Sequence, residues 1–126
     1  MNGEIKILAV SYLNAKPFIY GLEHSNLLTN YKLELDIPSV CADKLLNNKV
    51  DIGLVPVAII PFFKDYTILT DYCIGAKGAV GSVMLYSDVP LNEIENIYLD
   101  YQSRTSVALV QIIAANYWKI KRPCNY

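Results

Sequence analysis

A parallel α/β fold is predicted for this 126-residue chain by three observations. Strand-like apolar runs alternate with helix-like segments through the first ~60 residues, the order that builds a parallel sheet with right-handed crossovers. Those runs are nearly continuous in apolar residues, as in Ile5-Lys6-Ile7-Leu8-Ala9-Val10, which suits a sheet covered on both faces. Hydrophobic residues make up 53 % of the chain and mean hydropathy is +0.26, too apolar for a disordered segment.

Each element has its own justification. Residues 4–10 read as the first strand. Pro17 fits the first turn of a helix over 16–24, where its missing N–H costs nothing and its φ is already helical. Tyr31 to Ile37 alternates apolar and polar residues, as a half-exposed strand does. Ser39 is the expected N-cap of a helix over about 40–48, with Val40, Leu45 and Leu46 facing inward and Asn47-Asn48 ending it. Asp51 to Val55 reads as a short buried strand, and Pro56 is expected to open another helix.

The pattern changes after Pro61. Tyr66 to Leu69, Asp71 to Ile74 and Val83 to Ser87 read as extended pieces. Gly75, Gly78 and Gly81 recur between them. No helix follows these glycines, and Lys77 is not part of a G-K-[ST] match, so a glycine-rich turn into a strand is preferred to a nucleotide loop. Ile97 to Asp100 reads as a strand and residues 105–120 as the longest helix. Val107, Leu109, Val110, Ile113, Ala114 and Tyr117 form its apolar face. No later strand is legible to receive that helix, so its face is expected to pack against a second copy of the chain.

Composition excludes several classes of function. Net charge is −1 without a basic stripe, so no nucleic-acid footprint is present. The stretch from Ile52 to Phe63 is broken by Pro56 and Pro61 and is too short to span a bilayer. No apolar signal core follows Met1, so a cytoplasmic protein without membrane attachment is expected. The three cysteines, Cys41, Cys73 and Cys124, are odd in number and irregularly spaced; reduced, mostly buried thiols are expected. With one histidine, His24, and no C-x-x-C pair, no metal or other cofactor is expected. His24 reads as a surface residue, Asp51, Asp71 and Asp100 as turn residues, and the ten tyrosines as half-buried packing groups.

Polar residues gather where strands end and helices begin: 11–17, 54–57 and 103–106. In an open α/β sheet ligands bind at those junctions, and free N–H groups there favour an anion such as a carboxylate. Ser82 and Ser87 flank the segment after the glycines. No nucleophile–base pair is legible, so the residues by themselves leave the reaction type open.

The run Ser11-Tyr12-Leu13-Asn14-Ala15-Lys16-Pro17-Phe18-Ile19-Tyr20-Gly21-Leu22 resembles the opening of the chorismate dehydratases of the futalosine route to menaquinone. Further matching segments follow in order: Asp51 to Ala58, Gly78 to Ser87, and Leu99-Asp100 followed by Ser103 to Leu109. The resemblance covers nearly the whole chain. It implies a two-lobed fold of the type II periplasmic-binding-protein kind, a parallel-sheet lobe with helices on both faces over 1–82, then a link and the start of a second lobe over 83–126. It implies removal of water from chorismate to give 3-[(1-carboxyvinyl)oxy]benzoate. By motif position Asn14 and Ser82 fall on the active-site asparagine and serine and are expected to line one cleft. The Ser103-Arg104-Thr105-Ser106 segment resembles a carboxylate clamp of the family, and Ser11 and Pro56, at the polar junctions, are the other expected substrate-binding residues. Loss of the C3 proton and the C4 hydroxyl aromatises the ring, so a substrate carboxylate is the expected proton acceptor, with Asn14 and Ser82 orienting it. The family pattern also implies a longer chain with a complete second lobe. A non-catalytic carboxylate-binding module on the same scaffold is the alternative.

Overall fold

The computed structural model describes residues 3–26 and 29–119, and the backbone of 124–125. They belong to two units, Met1–Ile74 and Gly75–Tyr126. The first unit begins with strand β1 (Ile5–Val10), followed by helix α1 (Lys16–Glu23), strand β2 (Tyr31–Asp36), helix α2 (Pro38–Leu46) and strand β3 (Ile52–Gly53). The strands form one parallel sheet in the order β2-β1-β3.

β1 is the central strand. It pairs with β2 along its full length, from Ile5 opposite Tyr31 to Val10 opposite Asp36. On its other side Ile7 lies opposite Ile52 and Leu8 opposite Gly53. Bonds from Asp51 N–H to the Lys6 carbonyl (3.0 Å) and from Leu54 N–H to the Leu8 carbonyl (2.9 Å) extend this contact beyond the two-residue strand. Ile7, Leu8, Ala9 and Val10 are buried in succession, which requires cover on both faces of the sheet. The strand order supplies that cover. One crossover leaves β1 for β2 and the next returns past β1 to β3, so right-handed connections put α1 and α2 on opposite faces. The core gathers Leu8, Ala9, Val10, Ala15, Ile19, Cys41 and Val50.

α2 begins earlier than Ser39 suggests. Its N-cap is Ile37, and Pro38 takes the first helical position. The Asp36 carboxylate accepts the Ile37 N–H at 2.9 Å, so the capping role sits before the proline and Ser39 is inside the helix. The two asparagines end α2 as expected. Asn48 has φ 52°, and N–H groups of Asn48 and Lys49 bond the carbonyls of Leu45 (3.1 Å) and Lys44 (2.9 Å), the paired bonds of a Schellman ending. Val40, Leu45 and Leu46 are only half-buried, while Cys41 and Ala42 are the buried residues of this helix.

After β3 the expected helix is a 3-10 segment, Val57–Phe62, with Pro56 as its N-cap. Pro61 explains the difference. It has no N–H for the carbonyl of Val57, and its ring would clash there in an α-helix. Ile59 still anchors the segment at 1 % exposure.

In the second unit a short strand β4 (Ile97–Tyr98) leads to helix α3 (Arg104–Asn116) and then to β5 (Cys124–Asn125). β4 and β5 pair in parallel, with Ile97 opposite Cys124 and Tyr98 opposite Asn125. A strand does therefore receive α3, contrary to the sequence expectation; two residues carry no period from which to read it. Ile94, Ile97 and Ala114 form a small core, flanked by Leu99, Val110 and Trp118. Val107 and Ala114 face inward as expected, but Leu109 and Tyr117 are exposed.

Neither Tyr66 to Leu69, Asp71 to Ile74 nor Val83 to Ser87 forms a strand. These segments have strand-like composition, but none pairs with a neighbour among the described residues, and a strand exists only as part of a ladder. Consequently Tyr66, Tyr72 and Tyr86 are exposed rather than half-buried, as are Tyr98, Tyr101 and Tyr117. Cys73 is exposed too, against the expectation for the thiols, whereas Cys41 is fully buried. The side chain of Cys124 lies outside the described residues. Among those residues no helix is long and apolar enough to cross a membrane.

Candidate functional site

The carboxyl end of the first unit's sheet is where its polar junctions meet. Ser11 directly follows β1, and its N–H donates to the Asp36 carbonyl at 2.9 Å, so the pairing of β1 with β2 runs one residue past the strand. A 3-10 turn, Leu13–Ala15, comes next. It is closed by a bond from Ala15 N–H to the Tyr12 carbonyl at 3.0 Å and pinned by Ala15, which is wholly buried. Asn14 sits on that pinned turn, exposed, and its amide has no hydrogen-bond partner among the described residues.

Pro56 reaches the same edge from β3. The last β1–β3 bond runs from Leu54 N–H to the Leu8 carbonyl, and Pro56 follows two residues later, past the carboxyl end of β3 as Ser11 is past that of β1. The strand order reverses here, since one crossover leaves β1 on one side and the next arrives on the other. A small ligand finds its crevice at such a switch point. Ser11, Asn14 and Pro56 are thus brought to one edge of one sheet.

The other expected site residues belong to the second unit. Ser82 is exposed in a turn, beside a bond from Val83 N–H to the Val80 carbonyl at 3.4 Å. Gly78, with φ +89°, supplies the left-handed backbone that this glycine-rich segment needs. No helix follows, so the turn reading of the glycines stands.

Ser103 is the N-cap of α3. Its hydroxyl oxygen accepts the Ser106 N–H at 3.2 Å, and the same hydroxyl donates to the Ser106 hydroxyl at 2.8 Å. Arg104 and Thr105 fill the first turn, Arg104 exposed and Thr105 half-buried. The positive end of the α3 dipole and the Arg104 guanidinium make this an attractive position for a carboxylate. Asp100 has the turn role expected of it, its carboxylate accepting the Gln102 N–H at 3.0 Å. Asp51 does not take the turn role expected of it: its carboxylate accepts the N–H of Lys6 on β1 at 2.8 Å, tying the start of β3 to the central strand.

Asp36 supports the first-unit edge and was not singled out by the sequence patterns. Its carbonyl holds Ser11, one carboxylate oxygen holds Ile37 N–H, and the other pairs with Lys44 at 3.1 Å. The Ile37 N–H, then Lys44, hold its carboxyl below the usual range. Lys44 also pairs with Glu34 at 3.1 Å, and Lys32 reaches Glu34 at 3.0 Å. The two lysines lower the Glu34 carboxyl, and the two carboxylates raise Lys44. An acidic residue closing a strand two positions before a proline was the available signal. Burial pushes the Cys41 thiol up, so it is a packing group.

His24 is exposed and stacks on Tyr20, with ring centroids 4.0 Å apart, which fits its surface reading. Among the described residues no group of three or more His, Cys, Asp or Glu side chains could hold a metal. A shallow cavity of about 230 Å³ in the second unit is lined by Met84, Tyr86, Ile97 and Tyr98 among others, and touches none of the expected site residues. A family model described as menaquinone biosynthesis matches residues 5–126, which takes in both units and every expected site residue.

Proposed function

The chain belongs to the menaquinone biosynthesis family, and on that premise we propose that it carries the chorismate dehydratase activity of the pathway, as a hydro-lyase releasing water and 3-[(1-carboxyvinyl)oxy]benzoate. The observation that carries this reading is the family match over 5–126, together with the Ser11 to Leu22 segment at the carboxyl end of β1. A role in menaquinone biosynthesis follows from membership; the substrate and the reaction are the proposal. The first unit's parallel sheet is compatible with a lobe of the type II periplasmic-binding-protein fold.

Chorismate carries two carboxylates, and the polar junctions suit them. Ser11 and Asn14 offer a hydroxyl and an amide on a pinned loop. The α3 N-terminus, with Arg104, Thr105 and the Ser103–Ser106 pair, offers donors and positive charge. The chemistry asks little of a protein base, because elimination aromatises the ring. A proton leaves C3 and hydroxide leaves C4, which together make the released water. A carboxylate of the substrate accepts the C3 proton and delivers it to the departing C4 hydroxyl, and Asn14 and Ser82, by their motif positions, are the residues assigned to orient these groups.

Steady-state turnover of chorismate, alongside a chorismate-binding titration, tests the proposal. Asn14→Ala and Ser82→Ala are each expected to lower kcat/KM by about 10²-fold or more. Binding without turnover in the unaltered chain would establish the non-catalytic binding module instead.

A further inference from the structure

Two large apolar side chains stand at the carboxyl edge of the first unit's sheet without entering the core: Leu13 is 83 % exposed and Val57 is 64 % exposed. Each adjoins a residue of the proposed site, Leu13 next to Asn14 and Val57 next to Pro56. Neither is exposed because its loop is loose. Two residues beyond Leu13, Ala15 is fully buried, and two residues beyond Val57, Ile59 is 1 % exposed. Bonds of 3.0 Å (Ala15 N–H to the Tyr12 carbonyl) and 3.1 Å (Ile59 N–H to the Pro56 carbonyl) close both turns. Each turn therefore fixes one apolar residue inward and holds another out. The two turns follow the carboxyl ends of β1 and β3, which are paired neighbours in the sheet, so both rise at the switch point.

We propose that Leu13 and Val57 are the apolar walls of the substrate site and that they set its preference for an unsaturated ring bearing carboxylates over an open-chain dicarboxylate. The inference rests on the dehydratase reading and names what that reading lacks, the groups that meet the ring faces of the substrate. Ser11 and Asn14 address carboxylates and hydroxyls, but hydrogen-bonding groups alone do not separate a cyclic diacid from a flexible one. Apolar contacts do so by burying ring carbon, and each methylene-sized contact in such a pocket is worth about 10-fold or more in discrimination.

Leu13→Ser and Val57→Ser test the proposal in the full chain, with chorismate and succinate titrated separately. Both positions are exposed, so the circular dichroism spectrum and melting temperature should match the parent. Each variant is expected to bind chorismate about 10-fold or more weakly and succinate unchanged. Leu13→Met and Val57→Ile should retain chorismate affinity, which separates lost apolar contact from local damage. Chorismate affinity within about twofold of the parent in both serine variants would overturn the inference while leaving the dehydratase reading intact. A parent chain that does not bind chorismate would overturn both.

Discussion

Gly53 shows at the scale of one residue how tightly the site's platform is built. A Cβ placed there would lie 3.1 Å from Leu45 Cδ2 and 3.3 Å from Val55 Cγ1. α2 therefore sits close over β3, and the missing side chain permits it. Gly53→Ala requires both the end of Leu45 and the Val55 methyl to give by a few tenths of an ångström, which the flexible leucine does more readily than the β-branched valine. Gly53→Val adds branches with nowhere to go and is expected to cost about 1–3 kcal/mol, read by urea unfolding. The same substitution should weaken chorismate binding, because β3 carries Pro56 and Val57 to the edge. Leu8→Ala is the contrasting case. Leu8 has no exposed surface and lies at the centre of the core, so a loss of about 2–5 kcal/mol is expected in the same measurement. Gly53 was legible only as part of a strand, since its reason is a helix packed above it and no local pattern records that.

The elements divide by whether their cause is local. β1, α1 and β2 were legible because an apolar run, an early proline and a period-two alternation each act within a few residues. The start of α2 was misplaced because two local signals competed, and Pro38 with the Asp36 carboxylate prevailed over Ser39. The segment after Pro56 kept its position but not its type, since Pro61 decides between α and 3-10 geometry. Val83 to Ser87 failed for a different reason. Strand composition is a preference that pairing must complete, and no pairing partner is legible in one-dimensional order. The site junctions were legible as polar strand-to-helix loops, but the outward placement of Leu13 and Val57 was not, because it depends on which neighbour the core takes. At α3 the helix was legible, but Ser103 was not singled out as its cap. Ser103→Ala removes the acceptor for the Ser106 N–H and is expected to destabilise the helix by about 0.5–2 kcal/mol. Hydrogen exchange at the amides of the first turn of α3 should quicken, while protection of β1 stays unchanged.

Over the whole molecule, acid is expected to weaken the network that holds the site edge. Glu34 and Asp36 have folded pKa values below their ordinary 4.5 and 3.8. The unfolded chain therefore binds protons that the folded chain refuses, and the stability these groups contribute is full above those ordinary values. It is lost as pH falls through the lowered folded values. Lys44 works in the opposite sense: raised above its ordinary 10.5, it contributes below that value, and its contribution is lost as pH rises through the raised one. Melting temperature measured from about pH 6 to pH 3 should fall, and Lys44→Met should make that fall shallower. About 1 M salt should blunt the difference, since these side chains are reached by solvent.

The dehydration proposed for this sheet edge and its polar loops has one identifiable product. Incubating the full chain with chorismate and identifying the product by NMR tests it most directly. The expected result is an aromatic ring bearing an intact carboxyvinyl ether, formed with loss of one water and suppressed in Asn14→Ala. Chorismate recovered unchanged from a folded chain, or converted to a product that has lost the ether, would contradict it.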